Sequence, residues 1–176
     1  MDPRLASRSW TRAEYERAVD RGVLGEDDPV ELLDGELLFM SPENQLHIAT
    51  TDLIVERLRR VFGRGFVIRV QHPLSIGVAV VAGKPRDFLQ AHPTMALLIV
   101  EVADSSLRRD LGRKARAYAR AGIADYWVAD VRRRVLHVHR DPAGDGYQSV
   151  RKLGLRSTVR PVSRPRSRIK VSELIA

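Results

Sequence analysis

Residues 96–102 read Ala-Leu-Leu-Ile-Val-Glu-Val. Apolar side chains fill both alternating sets of a strand here, so the pleat has no solvent face and needs cover on both sides. Glu101 is the exception. A carboxylate in such a run must be paired, bind a cation or lie at the strand's mouth, because burying it alone costs more than a domain can tolerate. The next segment offers the cation. Asp110 can cap a helix whose inward stripe at helical spacing is Leu111, Lys114, Ala115, Tyr118 and Ala121, which points Lys114 toward the sheet.

A chain of 176 residues suits one domain with a real core. The division expected is a domain over 1–154 and a basic Arg/Ser/Pro-rich tail over 155–176 that closes in a short strand or helix. The absence of cysteine excludes a disulfide framework, a thiolate zinc site and a thiol nucleophile, and fits a reducing, cytoplasmic setting. Residues 1–12 carry three arginines and an acid but no apolar region, so they read as neither signal peptide nor anchor. No apolar run is long enough to span a bilayer. The formal charge of +8 is local: residues 151–170 hold eight Lys and Arg and no acid, leaving 22 basic against 22 acidic groups elsewhere. Such a tail can hold phosphates by counterion release, which is blind to sequence and sensitive to salt. A solvated, arginine-rich run is the commoner explanation of such a tail.

The remaining elements follow in order. Thr11 and Glu14 form a capping box, with Trp10 stapled on Tyr15, for a short helix ending near Gly22. Residues 30–40 read as two strands about the Asp34-Gly35 turn, with Glu36 directly after it. Ser41-Pro42-Glu43-Asn44 stops the strand and opens a helix over 45–62, its stripe Leu46, Ala49, Leu53, Ile54, Leu58 and Val61, with His47 near the first turn. Strands are predicted at 66–70 and 78–82 on either side of Gln71-His72-Pro73, followed by a polar loop over 83–93. Beyond the Lys114 helix, which Gly122 ends, residues 126–130 and 134–139 form a hairpin and 147–150 a short strand. Residues 155–168 show no periodicity and predict loose packing. This order implies an α/β chain, a mixed α+β sheet with helices packed against it, and a site at the mouth of the buried strand.

These residues resemble the bacterial putative restriction endonuclease domain family, within the restriction-endonuclease-like, PD-(D/E)xK fold. The carriers are Glu31-Leu32-Leu33-Asp34-Gly35-Glu36-Leu37, Met40-Ser41-Pro42 with His47, Ile99-Val100-Glu101-Val102, Arg109-Asp110-Leu111-Gly112-Arg113-Lys114, and the run from Tyr118-Ala119-Arg120 through Tyr126-Trp127-Val128-Ala129-Asp130. The resemblance implies a Mg²⁺-dependent DNA endonuclease. Phosphodiester cleavage needs a nucleophile made from water and shielding of charge on the phosphorane. By the resemblance, Glu101 matches the metal-binding Glu. Lys114 matches the active-site Lys, displaced from its usual place two residues on, which Ala103 holds. In the family a segment ending in Pro-Asp stands before the strand at Val78, whereas here Ser75-Ile76-Gly77 runs straight into it and Gly77 falls at the Asp position. Loss of a carboxylate weakens a Mg²⁺ site and implies reduced or absent cleavage. The alternative is a non-catalytic nucleic-acid- or partner-binding domain of the same fold, and a third reading is a deleted, poorly stable product.

Each candidate also has a structural reading. Glu101 and Lys114 can be an ion pair between strand and helix. His47 can meet phosphate or move a proton, or be a satisfied boundary residue. Glu36 can complete a metal site or be ordinary strand polarity, and Asp104 can be a ligand or a helix cap. Pro85-Arg86-Asp87 lies out of register to replace the missing acid. Tyr118, Tyr126 and Trp127 read as core aromatics. DNA is the implied partner, and a homodimer would supply two sites for two strands.

Overall fold

The computed structural model describes residues 9–25, 28, 30–39, 44–70, 77–89, 93 and 95–176. The expected stop at Ser41-Pro42-Glu43, the Gln71-His72-Pro73 interruption and the first eight residues lie outside them. The chain divides into two compact units, one holding the first helix and hairpin, the other running from the long helix to the C-terminal residue.

In the first unit, α1 (Arg12–Asp20) begins with the predicted capping box: Thr11 Oγ1 accepts from the Glu14 backbone and the Glu14 side chain accepts from the Thr11 backbone. Strands β1 (Val30–Leu33) and β2 (Glu36–Phe39) pair antiparallel. Asp34 and Gly35 both take positive φ, at 50° and 81°, the backbone that a two-residue turn of matching twist requires.

The second unit is built on a six-stranded sheet in the order β3-β4-β5-β6-β7-β8. These are β3 (Phe66–Val70), β4 (Val78–Ala82), β5 (Leu98–Ala103), β6 (Asp125–Asp130), β7 (Val135–Ala143) and β8 (Gly146–Gly154). All neighbours are antiparallel except β5 and β6. A parallel pair needs a crossover. Here α3 (Leu107–Arg109) runs through a π turn (Asp110–Lys114) into α4 (Ala115–Arg120). Every residue of β5 is buried, as its two-sided apolar pattern requires.

The helix α2 (Gln45–Phe62) covers one face of the sheet through Ile54, Val55, Leu58 and Phe62. Its buried face also includes Thr50 and Thr51, while the predicted Leu46 and Ala49 are exposed. The stripe is therefore rotated at its N-terminal end, where Thr50 Oγ1 accepts from the Ala176 backbone. On the opposite face Ala115 joins Ile99, Ala103, Ile123, Tyr126 and Val128, with Leu111 and Tyr118 packed against them.

Within residues 155–168, whose composition predicts loose packing, Val159 and Pro161 are nevertheless buried, and the short closing element expected after them is seated in the core. Strands β9 (Thr158–Val159) and β10 (Ile169–Lys170) pair, and Val159, Ile169, Val171, Leu174 and Ile175 are buried in the core beside α2. Asp125, buried under this segment, accepts from Arg140, Trp127 and the Val162 backbone.

Candidate functional site

Glu101 projects from the helix-covered face of β5 and is met from three sides. Lys114 Nζ donates to Oε1 at 3.1 Å, the Tyr118 hydroxyl donates to the same oxygen at 2.8 Å, and the Gly77 backbone N–H donates to Oε2 at 3.3 Å. Glu101 and Lys114 are 5% and 3% exposed, so the pair interacts at low local dielectric, where leaving either partner alone is expensive. The expectation that Lys114 points inward to a buried carboxylate agrees with this geometry. Tyr118, read from sequence as a core aromatic, also belongs to the site through its hydroxyl. Its spacing of four from Lys114 was the available signal.

Asp110 does not cap the helix. The helix opens one turn earlier, at Leu107 after Ser106, and Asp110 opens the π turn with its side chain 1% exposed. Ser106 Oγ donates to its Oδ2, while Oδ1 has no hydrogen-bond partner. π turns recur at functional sites because the extra residue re-aims the side chains around it. Here Asp110, Lys114 and Ala115 are buried while the predicted Ala121 is exposed and Ala119 buried in its place.

Burial, and after it the Glu101 charge, push the Asp110 carboxyl up to about 7 from its ordinary 3.8. The folded protein then keeps a proton that the unfolded chain releases between pH 4 and 7. This contribution to stability is full below the unfolded value and lost as pH rises through the folded one. Asp110→Asn cannot ionise. In chelator, its stability relative to wild type is expected to climb as pH rises from 4 to 7, reaching about 4 kcal/mol. Urea unfolding across that interval reads the difference; a gap that stays constant with pH would refute it. His139, pushed down to about 4 mainly by burial, slopes the other way in both proteins and cancels in the comparison.

Asp104, at the end of β5, accepts from Arg132 and from Asn44 Nδ2, and Arg132 holds its carboxyl below the usual range. His47 is half-buried on the first turn of α2. Its backbone N–H donates to the Asn44 cap. Glu36 is exposed on β2, in the first unit.

Gly77 stands directly across from Glu101, since Val78 pairs with Val100 and the register continues by one residue. A Cβ at Gly77 would meet the Val100 carbonyl oxygen at 2.6 Å and Glu101 Oε2 at 3.1 Å. A side chain there cannot enter without moving backbone, so a single substitution at this position does not add an acid opposite Glu101.

Among the described residues no three His, Cys, Asp or Glu side chains converge to hold a metal ion. Mg²⁺ needs less than that from protein: one or two carboxylates suffice, with water completing the shell. The Glu101 carboxylate and the orphaned Asp110 Oδ1 are oxygen donors of this kind, and the cluster's chemistry fits a small hard cation.

A mixed sheet crossed by helices on both faces, with a carboxylate and a lysine buried at its parallel strand, defines the restriction-endonuclease-like class. The crystal structure of a putative nuclease belonging to DUF820 from Anabaena variabilis is similar in fold, with a TM-score of 0.65 and 13% identity over 88% of this chain and 94% of that one. The Uma2 family, described as putative restriction endonuclease, matches residues 12–165, and the chain belongs to that family. A search of curated proteins finds no match. No helix among the described residues is long and apolar enough to cross a membrane.

Proposed function

We propose that the Glu101 centre is that of a Mg²⁺-dependent DNA endonuclease whose cleavage is weak because Gly77 replaces an acidic residue. The observation that carries this reading is the buried Glu101–Lys114 pair on the parallel strand β5 of a chain that belongs to that family. When bound, the ion supplies a water-derived nucleophile and shields charge on the phosphate. Glu101 would hold it. Lys114, fixed by Glu101, presents a rigid ammonium that orients the attacking water and offsets charge that develops as the phosphorus–oxygen bond forms. The Tyr118 hydroxyl fixes the Glu101 rotamer by bonding Oε1. His47 is proposed to meet phosphate or move a proton from its place beside Asp104. The setting is proposed to be cytoplasmic, and two copies would serve the two strands.

A second reading, nucleic-acid binding without cleavage, is favoured by one observation. Arg151, Lys152, Arg156, Arg160, Arg166, Arg168 and Lys170 are all exposed on the β8 strand and the segment after it. Plasmid nicking with Mg²⁺ or Mn²⁺ separates the two. The enzyme reading expects slow metal-dependent nicking that falls at least a hundredfold in Glu101→Gln while DNA binding persists. Salt-sensitive binding with no nicking by wild type in either metal would leave the second reading standing.

A further inference from the structure

We infer that Asp110 is the second acidic ligand of this centre, taking over from the helix the role that the family assigns to the residue at Gly77. The inference rests on the metal-dependent reading above and extends it to a residue nothing else assigns. Four observations converge on it.

The first is charge. Glu101, Asp110 and Lys114 are each at most 5% exposed. Once Asp110 ionises, two carboxylates and one ammonium in a single buried cluster are one positive charge short, and buried charge is tolerated only when paired. Arg109 acts on Asp110 too, though least of the groups around it.

The second is the unfilled valence. Asp110 Oδ2 accepts from Ser106, but Oδ1 accepts from nothing although the side chain is fully enclosed. Buried polar atoms almost always have partners, so an orphan asks for an explanation, and a cation is one.

The third is direction. Asp110, Lys114 and Tyr118 follow one another at turn spacing along a continuous helix, and the latter two both bond Glu101 Oε1. The helix face that carries Asp110 is the face turned to Glu101, and the Glu101 charge acts directly on Asp110.

The fourth is exclusion. A carboxylate on β4 opposite Glu101 would have to start from a Cβ pressed against the Val100 carbonyl. Position 77 is closed to a new acid, and the helix side already holds one.

The test is calorimetric titration of Mn²⁺ and Mg²⁺ into wild type, Glu101→Gln, Asp110→Asn and, as a control away from the pair, Asp104→Asn, each checked for fold by circular dichroism. Metal-induced shifts in Tm serve as a second readout. Asp110→Asn is isosteric, and Asp110→Ser stands in should it fail to fold. The expected result is binding by wild type and Asp104→Asn, weakened tenfold or more in both Glu101→Gln and the Asp110 variant. Binding that survives in the Asp110 variant but not in Glu101→Gln overturns the inference and leaves the metal-dependent reading intact. Wild type that binds neither ion removes both. Binding unchanged by either substitution places the ion elsewhere and also removes both.

Discussion

A chain ended at Arg168 is expected to yield no folded protein. The eight residues lost carry Ile169, Val171, Leu174 and Ile175, each no more than 1% exposed in the core against α2. Complete burial of such side chains contributes about 1.5–3 kcal/mol apiece, so their joint loss approaches the 5–15 kcal/mol typical of an entire domain. Polar ties go with them. The Arg57 guanidinium bridges to Glu173 at 3.1 Å, and the Thr50 hydroxyl loses the backbone N–H of Ala176. Thermal unfolding followed by circular dichroism reads the outcome. A cooperative transition within a few degrees of the full chain's Tm would show that the segment is an accessory. The milder Ile169→Ala should cost about 2–5 kcal/mol, because the surrounding side chains relax only partly into the cavity.

That segment also shows where sequence patterning stops being informative. Periodicity reports one element's own face, and positions 159, 169 and 171 sit in elements two or three residues long while 174 and 175 follow the last of them, with Arg, Ser and Pro between. Their burial is decided by docking onto α2 and the sheet, which no local window contains. Arginines assist this packing: the Arg164 guanidinium lies over the Phe66 ring at 4.3 Å and the Phe62 ring at 5.4 Å. A basic composition thus covers an apolar edge as well as facing solvent. The α2 stripe was displaced for a related reason, since Thr50 faces inward where the Ala176 backbone supplies a donor.

The site was legible to the extent that burial forced it. An apolar run on both faces of β5 made Glu101 anomalous, and helical spacing brought Lys114 to it. Asp110 was visible as a residue but misassigned as a cap, because Asp before an apolar helix is the ordinary cap signal. The π turn that draws it inside adds one residue to the helical count, and a regular 3.6 period does not contain it. The hydroxyl of Tyr118 was hidden behind its ring, which packs on Tyr126 with centroids 4.9 Å apart, as a core aromatic would. The predicted strands at 134–139 and 147–150 were too short because β7 and β8 extend each other as a long hairpin, Val135 to Gly154.

Lys114→Met is expected to destabilise the protein by about 3–5 kcal/mol, the range for removing one partner of a buried ion pair. The Glu101 carboxylate would keep the Tyr118 hydroxyl and the Gly77 N–H, but two neutral donors do not offset an enclosed negative charge with Asp110 close by. Adding Glu101→Gln should recover most of the loss, because the amide retains an acceptor for Tyr118 and carries no charge. A double-mutant cycle from urea midpoints measures the coupling, and a value of about 2 kcal/mol or more is expected for groups in direct contact. A single-variant cost under about 1 kcal/mol would mean that the pair is hydrated and outside the buried class. The cycle also bears on function. If the doubly neutral variant is as stable as wild type, the ion pair is not retained for stability, because an uncharged pair of similar volume serves the fold as well. Glu101 and Lys114 then require a role that only their charges perform, and holding a cation and positioning a water at a phosphate is such a role.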